Sequence, residues 1–169
     1  ATTQTLWVFC QSEGEPPALG MLDLSGAGQT MSTLLEGNLL YVARSDAGLA
    51  VYDVTDPANP VLMDSVLLEG SSGNAQAWDL AIQHTTNPDT GADMTIAYVA
   101  LIYDGTAIVD VTDPTNIQVL DYLGTGSASI SLCAAGNLLF QSDWQYGLVI
   151  WDITDPTDVQ FMQTIQQVI

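Results

Sequence analysis

Residues 148–159 read LVIWDITDPTDV, and near-copies occur as LAVYDVTDPANP at 49–60 and TAIVDVTDPTNI at 106–117. Each copy opens with a short, mainly apolar run rich in β-branched and aromatic side chains, a pattern typical of a strand covered on both faces. The Asp and Thr side chains that follow can bond nearby backbone groups, and the proline restricts the chain around it. Because another apolar stretch begins shortly after the proline, each copy predicts a strand, a tight polar corner and a second strand.

The aspartates that end the apolar runs recur at a spacing typical of propeller blades. Asp23, Asp53, Asp110 and Asp152 are separated by 30, 57 and 42 residues, and a four-stranded blade takes roughly 40–50 residues. The sequence therefore predicts an all-β fold: a β-propeller-type array of about four blades of four-stranded antiparallel sheet, with the first blade incomplete. The predicted blades of this single propeller segment, 1–169, are approximately 1–30, 31–68, 76–124 and 128–169.

The last three copies each divide into four predicted strands. These are Met31–Leu35, Leu39–Ala43, Leu49–Tyr52 and Val61–Val66; Trp78–Gln83, Thr95–Leu101, Thr106–Val109 and Gln118–Leu123; and Ser129–Cys133, Leu138–Gln141, Leu148–Trp151 and Val159–Ile165. The first copy provides only Leu6–Gln11 and Leu19–Leu22, and its corner, DLSGAG, lacks the proline. Terminal repeats are often atypical because they meet a different neighbour.

These phrases resemble a known repeat family. GLAVYDVTDPANP, GTAIVDVTDP and GLVIWDITDP, together with the preceding GNLLYVA and GNLLFQS, are similar to the LVIVD repeat, a β-propeller repeat of bacterial and archaeal surface or secreted proteins. The resemblance spans about residues 35–165. It implies a propeller fold and export from the cytoplasm, and it implies no shared catalytic residues.

A propeller closes its ring by completing one blade, and the innermost strand of the first blade is missing from the predicted strands. An unclosed array exposes apolar blade faces and unpaired strand edges, which favours association. We therefore expect a fragment of a longer propeller or a subunit completed by another chain. A self-contained ring of four blades is the third alternative.

The charge balance excludes several classes of partner. The chain has 20 acidic residues, no lysine and a single arginine, Arg44, giving a net charge of −19. Nucleic-acid binding is excluded because no cations are available to neutralise phosphates, and anionic membrane surfaces are disfavoured for the same reason. No stretch approaches the roughly 20 apolar residues of a membrane span. The absence of lysine favours an extracellular or cell-envelope location.

The two cysteines, Cys10 and Cys133, both lie in apolar strand-like runs. This placement is consistent with two buried free thiols. A disulfide that joins the first and last repeats is the alternative, and it would indicate an oxidising compartment.

The sequence predicts no catalytic residues and no metal site. The one histidine, His84, ends a predicted strand, and no nucleophile elbow, zinc motif or phosphate loop accompanies it. Calcium is the one cofactor to weigh, because Asn87, Asp89 and Asp93 offer alternating oxygen donors. This run lacks the full calcium-loop spacing, so a polar hairpin loop is the simpler interpretation.

Two loop aromatics, Trp144 and Tyr146 in DWQYG, are the candidate binding residues, whereas Trp151 occupies a repeat position expected in the core. The sequence thus favours a non-enzymatic extracellular or cell-envelope scaffold that binds a protein partner or associates with itself. The alternatives are an enzyme with a carboxylate and divalent-metal site in a central channel, and a carbohydrate-binding module that uses the loop aromatics. No small-molecule ligand is predicted.

Overall fold

The computed structural model describes residues 5–9, 18–23, 28–70, 73–124 and 126–166, the first two segments through their backbone alone. Within these residues the chain is all β, with no helix, and therefore no helix long and apolar enough to cross a membrane. The strands are β1 (Thr5–Phe9), β2 (Ala18–Asp23), β3 (Ser32–Glu36), β4 (Leu39–Ala43), β5 (Leu49–Asp53), β6 (Val61–Val66), β7 (Glu69–Gly70), β8 (Gly73–Asn74), β9 (Gln76–Thr86), β10 (Asp93–Ile102), β11 (Gly105–Asp110), β12 (Gln118–Leu123), β13 (Ser129–Ala135), β14 (Leu138–Asp143), β15 (Gly147–Asp152) and β16 (Gln160–Ile165).

Three four-stranded antiparallel sheets confirm the predicted fold class. We name them blade 2 (β3–β6), blade 3 (β9–β12) and blade 4 (β13–β16), and in each the strands lie side by side in chain order. The degenerate first repeat appears in the described residues as the two-stranded β1–β2 sheet, and β7 and β8 form a small hairpin between blades 2 and 3.

The repeated corner is built from hydrogen bonds to its two aspartates. In blade 4, Asp152 accepts hydrogen bonds from the backbone N–H and the hydroxyl of Thr154, at 2.9 and 2.6 Å. Asp155 accepts the backbone N–H of Thr157 at 2.9 Å. The same bonds recur from Thr55 to Asp53, Ala58 to Asp56, Thr112 to Asp110 and Thr115 to Asp113. Turn geometry thus explains why the Asp-x-Thr-Asp-Pro phrase is repeated.

Each of the three blades has a glycine at the start of its third strand: Gly105 and Gly147 are the first residues of β11 and β15, and Gly48 directly precedes β5. At this point the backbone closely approaches the fourth, outer strand of the same blade. Gly105 has φ +83°, and a Cβ at this position would lie 2.0 Å from the carbonyl oxygen of Leu123. Gly48 and Gly147 have the same left-handed backbone and the same close approach to the outer strand of their own blades. Only glycine fits such a position without strain.

The blades pack face to face through their apolar residues. Blades 2 and 3 share one buried cluster, which includes Tyr41, Leu49, Val51, Val99, Leu101 and Val109. Blades 3 and 4 share another, which includes Ile96, Tyr98, Ile108, Leu139, Val149 and Trp151. We call the face that a blade turns toward the next blade in the chain its leading face. Burial on both faces explains why the central strands are apolar without alternation.

Polar bonds between first strands fix how neighbouring blades are aligned. Asp79 on β9 accepts hydrogen bonds from the hydroxyls of Ser32 and Ser131, both at 2.9 Å. Farther along β9, the His84 ring lies 2.7 Å from the Glu36 carboxylate of blade 2, and Gln83 donates to the Gly136 carbonyl just after β13 at 3.2 Å. The first strands of the three blades therefore run in the same direction. All the loops between second and third strands lie at one end of the array, which we call the loop face. The aspartate corners lie at the opposite end, the corner face.

The expectation that Cys133 is buried is wrong, because its thiol is free and exposed. Along β13, Leu132 points into the interface with blade 3 and is buried, so the next side chain points away from it. Cys10, and with it the proposed disulfide, lies outside the described residues.

Candidate functional site

A recess of about 590 Å³ opens between blades 3 and 4 at the loop face. Its walls come from the loop that follows β10, the connection between the blades, and the loop that follows β14. The side chains that line it include Ile102, Tyr103, Ser127, Ile130, Trp144 and Gln145. None of the described residues that line it carries a charge. We call it the loop-face recess, and it is mainly apolar with two large aromatic rings.

Trp144 projects from a rigid backbone. Its side chain is 83% exposed, while its own backbone N–H donates to the carbonyl of Ala128 at 3.0 Å. The buried carboxylate of Asp143 accepts the next two backbone N–H groups, those of Gln145 and Tyr146, at 2.9 and 2.8 Å. An exposed indole on a fixed loop loses little conformational entropy on binding, which is typical of contact residues.

Tyr103 is held in a backbone conformation that tyrosine rarely adopts. Its φ is +76°, and its side chain is 72% exposed. The Asp104 N–H donates to the Leu101 carbonyl at 3.4 Å, so Tyr103 occupies the third position of a turn where glycine is usual. The left-handed conformation costs a bulky residue about 1–2 kcal/mol, and no buried contact of an exposed ring compensates for it.

The second predicted binding residue, Tyr146, lies elsewhere. Its ring is half-buried and packs against the cluster between blades 3 and 4. It lines a separate recess of about 380 Å³ with Val149, Trp151 and Phe161. There Trp151 packs edge-on against Phe161, with ring centroids 5.7 Å apart. The structure therefore does not bring Trp144 and Tyr146 into one recess, and it confirms the core position expected for Trp151.

Tyr103 is the exposed aromatic residue of this recess that the sequence interpretation did not single out. The corresponding loops read ARSDAG in blade 2, LIYDGT in blade 3 and SDWQYG in blade 4. A tyrosine directly before Asp-Gly, in a turn that favours Gly, Asn or Asp, was the available signal. The prediction of Trp144 followed from the same kind of loop comparison.

Carboxylates lie on the loop face outside the recess. Asp104 directly follows Tyr103, and the exposed carboxylates Asp46 and Glu69 lie on the neighbouring loops of the same face. Arg44 is the only lysine or arginine in the chain, and it is only 7% exposed. Its Nη2 donates to the carbonyl of Ala47 at 3.1 Å, within the same loop. The protein surface therefore carries no lysine or arginine.

The corner face also carries carboxylates, and they are held in the ionised form. Hydrogen bonds lower the pKa of five corner aspartates below the ordinary value. The donors are the side chain and backbone of a nearby threonine for Asp53, Asp113, Asp152 and Asp155, namely Thr55, Thr115, Thr154 and Thr157 in that order. For Asp56 they are the Asn59 side chain and the Ala58 backbone. A general acid needs the opposite shift in pKa, toward neutrality. These carboxylates therefore act as turn acceptors.

The histidine and the run considered for calcium have structural partners. Thr95 Oγ1 lies 3.2 Å from His84 Nδ1, and Glu36 contacts the other ring nitrogen. Asn87 accepts the backbone N–H groups of Asp89 and Thr90 at 3.0 and 2.9 Å, which forms the turn between β9 and β10. Across the described ranges, no group of three His, Cys, Asp or Glu residues is arranged to hold a metal ion.

Successive four-stranded sheets, packed face to face with parallel first strands, define a β-propeller-like repeat protein. The sequence profile of the LVIVD repeat matches residues 27–67, 96–121 and 126–166, which is more than half of the chain. The chain therefore belongs to the LVIVD-repeat family, as its corner phrases indicated. No curated protein matches it.

Proposed function

We propose that this chain is a non-enzymatic repeat scaffold, located outside the cytoplasm, that binds a protein partner through its loop face. The observation that carries the proposal is the loop-face recess, where two adjacent blades each present a largely exposed aromatic ring, Tyr103 and Trp144. Tryptophan and tyrosine are the residues most enriched among those that dominate protein interfaces. Because blade packing does not require either ring, a contact role explains why they are exposed.

The state of the ionisable groups supports a scaffold rather than an enzyme. The corner carboxylates accept turn hydrogen bonds that lower their pKa, and the single imidazole lies between Glu36 and Thr95 as a link between blades. The extracellular or cell-envelope location rests on the absence of lysine and on the family resemblance.

Self-association is a second part of the proposal, supported by the leading face of blade 4. Phe140 pairs with Ile150 across β14 and β15, at the positions that Tyr98 and Ile108 occupy in blade 3. In blade 3 these two side chains are buried against the next blade. A blade-like face from another copy would bury Phe140 in the same way.

Site-specific photo-cross-linking in cells that produce this protein natively tests the proposal. A benzophenone side chain placed at position 145, which lines the recess next to Trp144, is expected to form a covalent adduct with one defined protein. The adduct should disappear when Tyr103→Ala is added. The same group at position 35, an exposed apolar site on β3, is the control and should give no such adduct. An equal pattern of adducts from both positions would contradict the proposal, and fractionation of the same cells tests the location.

A further inference from the structure

Three other features of the described residues lack the free aromatic rings of the loop-face recess. The 380 Å³ recess is lined by aromatic rings that already pack against one another. Cys133 is an isolated exposed thiol. The recess beside His84 is formed by residues that close a hairpin. The loop-face recess differs from them, because its two rings lack a packing role and one of them sits on a strained backbone.

We infer that the occupant of the loop-face recess is a basic polypeptide segment that inserts one apolar side chain between Trp144 and Tyr103 and carries lysine or arginine beside it. This inference rests on the proposed protein-binding function and specifies the chemistry of the partner. It follows from two properties of the surface, the apolar lining of the recess and the one-sided charge around it.

The lining selects an apolar side chain. Ile102, Ala128 and Ile130 contribute aliphatic surface, and the polar side-chain groups among the described lining residues are those of Ser127 and Gln145, the Tyr103 hydroxyl and the Trp144 indole N–H. Ser127 is buried and accepts the backbone N–H of Gln145 at 3.3 Å. A recess of several hundred Å³ with mostly apolar walls and few polar groups suits a hydrophobic anchor better than a heavily hydroxylated ligand.

The net negative charge of the protein favours a partner segment with basic residues beside the apolar anchor. The chain has a net charge of −19, and its one arginine is buried. An acidic partner would therefore meet like charge without any lysine or arginine to pair with. A cationic partner would meet the net negative charge of this surface, to which the exposed Glu69 on the same face contributes. Complementary charge steers encounter and rejects wrong partners, so the partner must supply the cations.

Binding of labelled nine-residue peptides, measured by fluorescence anisotropy on the whole chain, tests the inference. Three peptides share a central leucine and have lysine, serine or glutamate as flanking residues, and a fourth has lysines around a central serine. The lysine–leucine peptide should bind at least about tenfold more tightly than the others and should weaken about tenfold between 50 and 500 mM salt. Trp144→Ala and Tyr103→Ala should each weaken it at least about tenfold. Leu35→Ala, which removes exposed apolar surface far from the recess, should have no effect.

Each contrary outcome identifies what fails. If the serine or glutamate peptide binds as tightly as the lysine–leucine peptide, and Trp144→Ala weakens that binding, the inference of a basic partner is wrong. The proposed protein-binding site would still stand. Equal binding of both lysine peptides, unchanged by Trp144→Ala, would show only general charge attraction and overturn the inference. Glycan-array binding lost in Trp144→Ala, with no peptide bound through Trp144, would overturn both the inference and the proposed function.

Discussion

Asp79 and Ser131 lie on the first strands of adjacent blades, and the Ser131 hydroxyl donates a 2.9 Å hydrogen bond to the Asp79 carboxylate. The same carboxylate accepts the backbone N–H of Leu132 at 3.0 Å. On its other side it accepts the Ser32 hydroxyl of blade 2 at 2.9 Å. The half-buried Asp79 side chain of blade 3 therefore binds both blade 2 and blade 4. These bonds fix the position of the first strands of the three blades along the strand direction.

Replacing this carboxylate should destabilise the whole array. Asp79→Ala removes the acceptor of three hydrogen bonds and should lower the free energy of unfolding by about 2–4 kcal/mol, because bonds to charged groups contribute more than neutral ones. Urea unfolding followed by tryptophan fluorescence measures the change. Asp89→Ala, in the exposed turn between β9 and β10, is the control and should change stability by less than about 0.5 kcal/mol. Equal effects of the two variants would contradict the linking role of Asp79.

The corner aspartates make part of the stability depend on pH. Hydrogen bonds from the Thr154 side chain and backbone lower the pKa of Asp152 in the folded state from the ordinary 3.8. A lowered folded-state pKa gives stability that is present above the unfolded pKa, and this stability is lost as pH falls through the folded pKa. Thr154→Val removes the 2.6 Å hydroxyl bond to Asp152 without changing the net charge. The stability gap between wild type and this variant should be full above about pH 5 and should shrink toward pH 2.5.

The difference between two proteins of equal charge is informative here because acid also relieves general repulsion among the carboxylates. Urea midpoints at pH 7, 5, 4, 3 and 2.5 measure the gap. Thr90→Val is the control, since the Thr90 hydroxyl accepts a backbone N–H from Ala92 and bonds no corner carboxylate. Its gap should stay constant with pH. If the difference in stability between wild type and Thr154→Val stays constant or grows as the pH falls, the Thr154 hydroxyl does not stabilise the protein through the ionised Asp152.

Replacing Tyr103 with glycine should make the protein more stable and weaken peptide binding. Tyr103→Gly relieves the left-handed backbone and should raise the free energy of unfolding by about 1 kcal/mol, after the greater unfolded-state entropy of glycine is included. Tyr103→Ala removes the ring but keeps the strain, so it should give no such gain. Both should weaken the lysine–leucine peptide. A Tyr103→Gly variant less stable than wild type would mean that the ring supports the fold, which would remove the argument for a contact role.

The sequence predicted several strands with their bounds, because each corner between strands has its own local chemistry. Leu39–Ala43, Val61–Val66 and Gln118–Leu123 form strands with the predicted bounds. By contrast, β9 extends to Gln76–Thr86, since backbone pairing with β10 continues past the apolar run that marked it. Pairing depends on the partner strand, and a single apolar run does not show where the partner ends.

The candidate site was only partly predictable. An exposed Trp144 followed from its position in a polar loop. The burial of Tyr146 did not, because it depends on the side chains of blades 3 and 4 that meet there. The three bonds of Asp79 are likewise a tertiary feature, because they join strands from different repeats and the repeat pattern carries no signal for them. The φ of Tyr103, by contrast, belongs to the local turn at residues 101–104, which the Tyr-Asp-Gly sequence could have indicated.

The leading face of blade 4 should cause self-association. If another copy covers the half-buried Phe140, the purified chain should form an oligomer, which light scattering detects. Phe140→Asp should shift the distribution toward monomer, because a charge would replace an apolar side chain at the contact. Leu120→Asp, at a partly exposed position on the outer strand of blade 3, is the matched control and should leave the oligomer intact. A wild-type chain that stays monomeric at high concentration would contradict this part of the proposal.

The most direct test of the binding site uses the four tryptophans of the chain. With 5-fluorotryptophan incorporated, each gives one fluorine NMR resonance, assigned by single Trp→Phe variants. On titration with the lysine–leucine peptide, the Trp144 resonance should shift and saturate with the binding curve. The resonances of buried Trp151 and of Trp78 on β9 should stay in place. Saturable binding that leaves the Trp144 resonance unmoved would contradict a partner site in the loop-face recess.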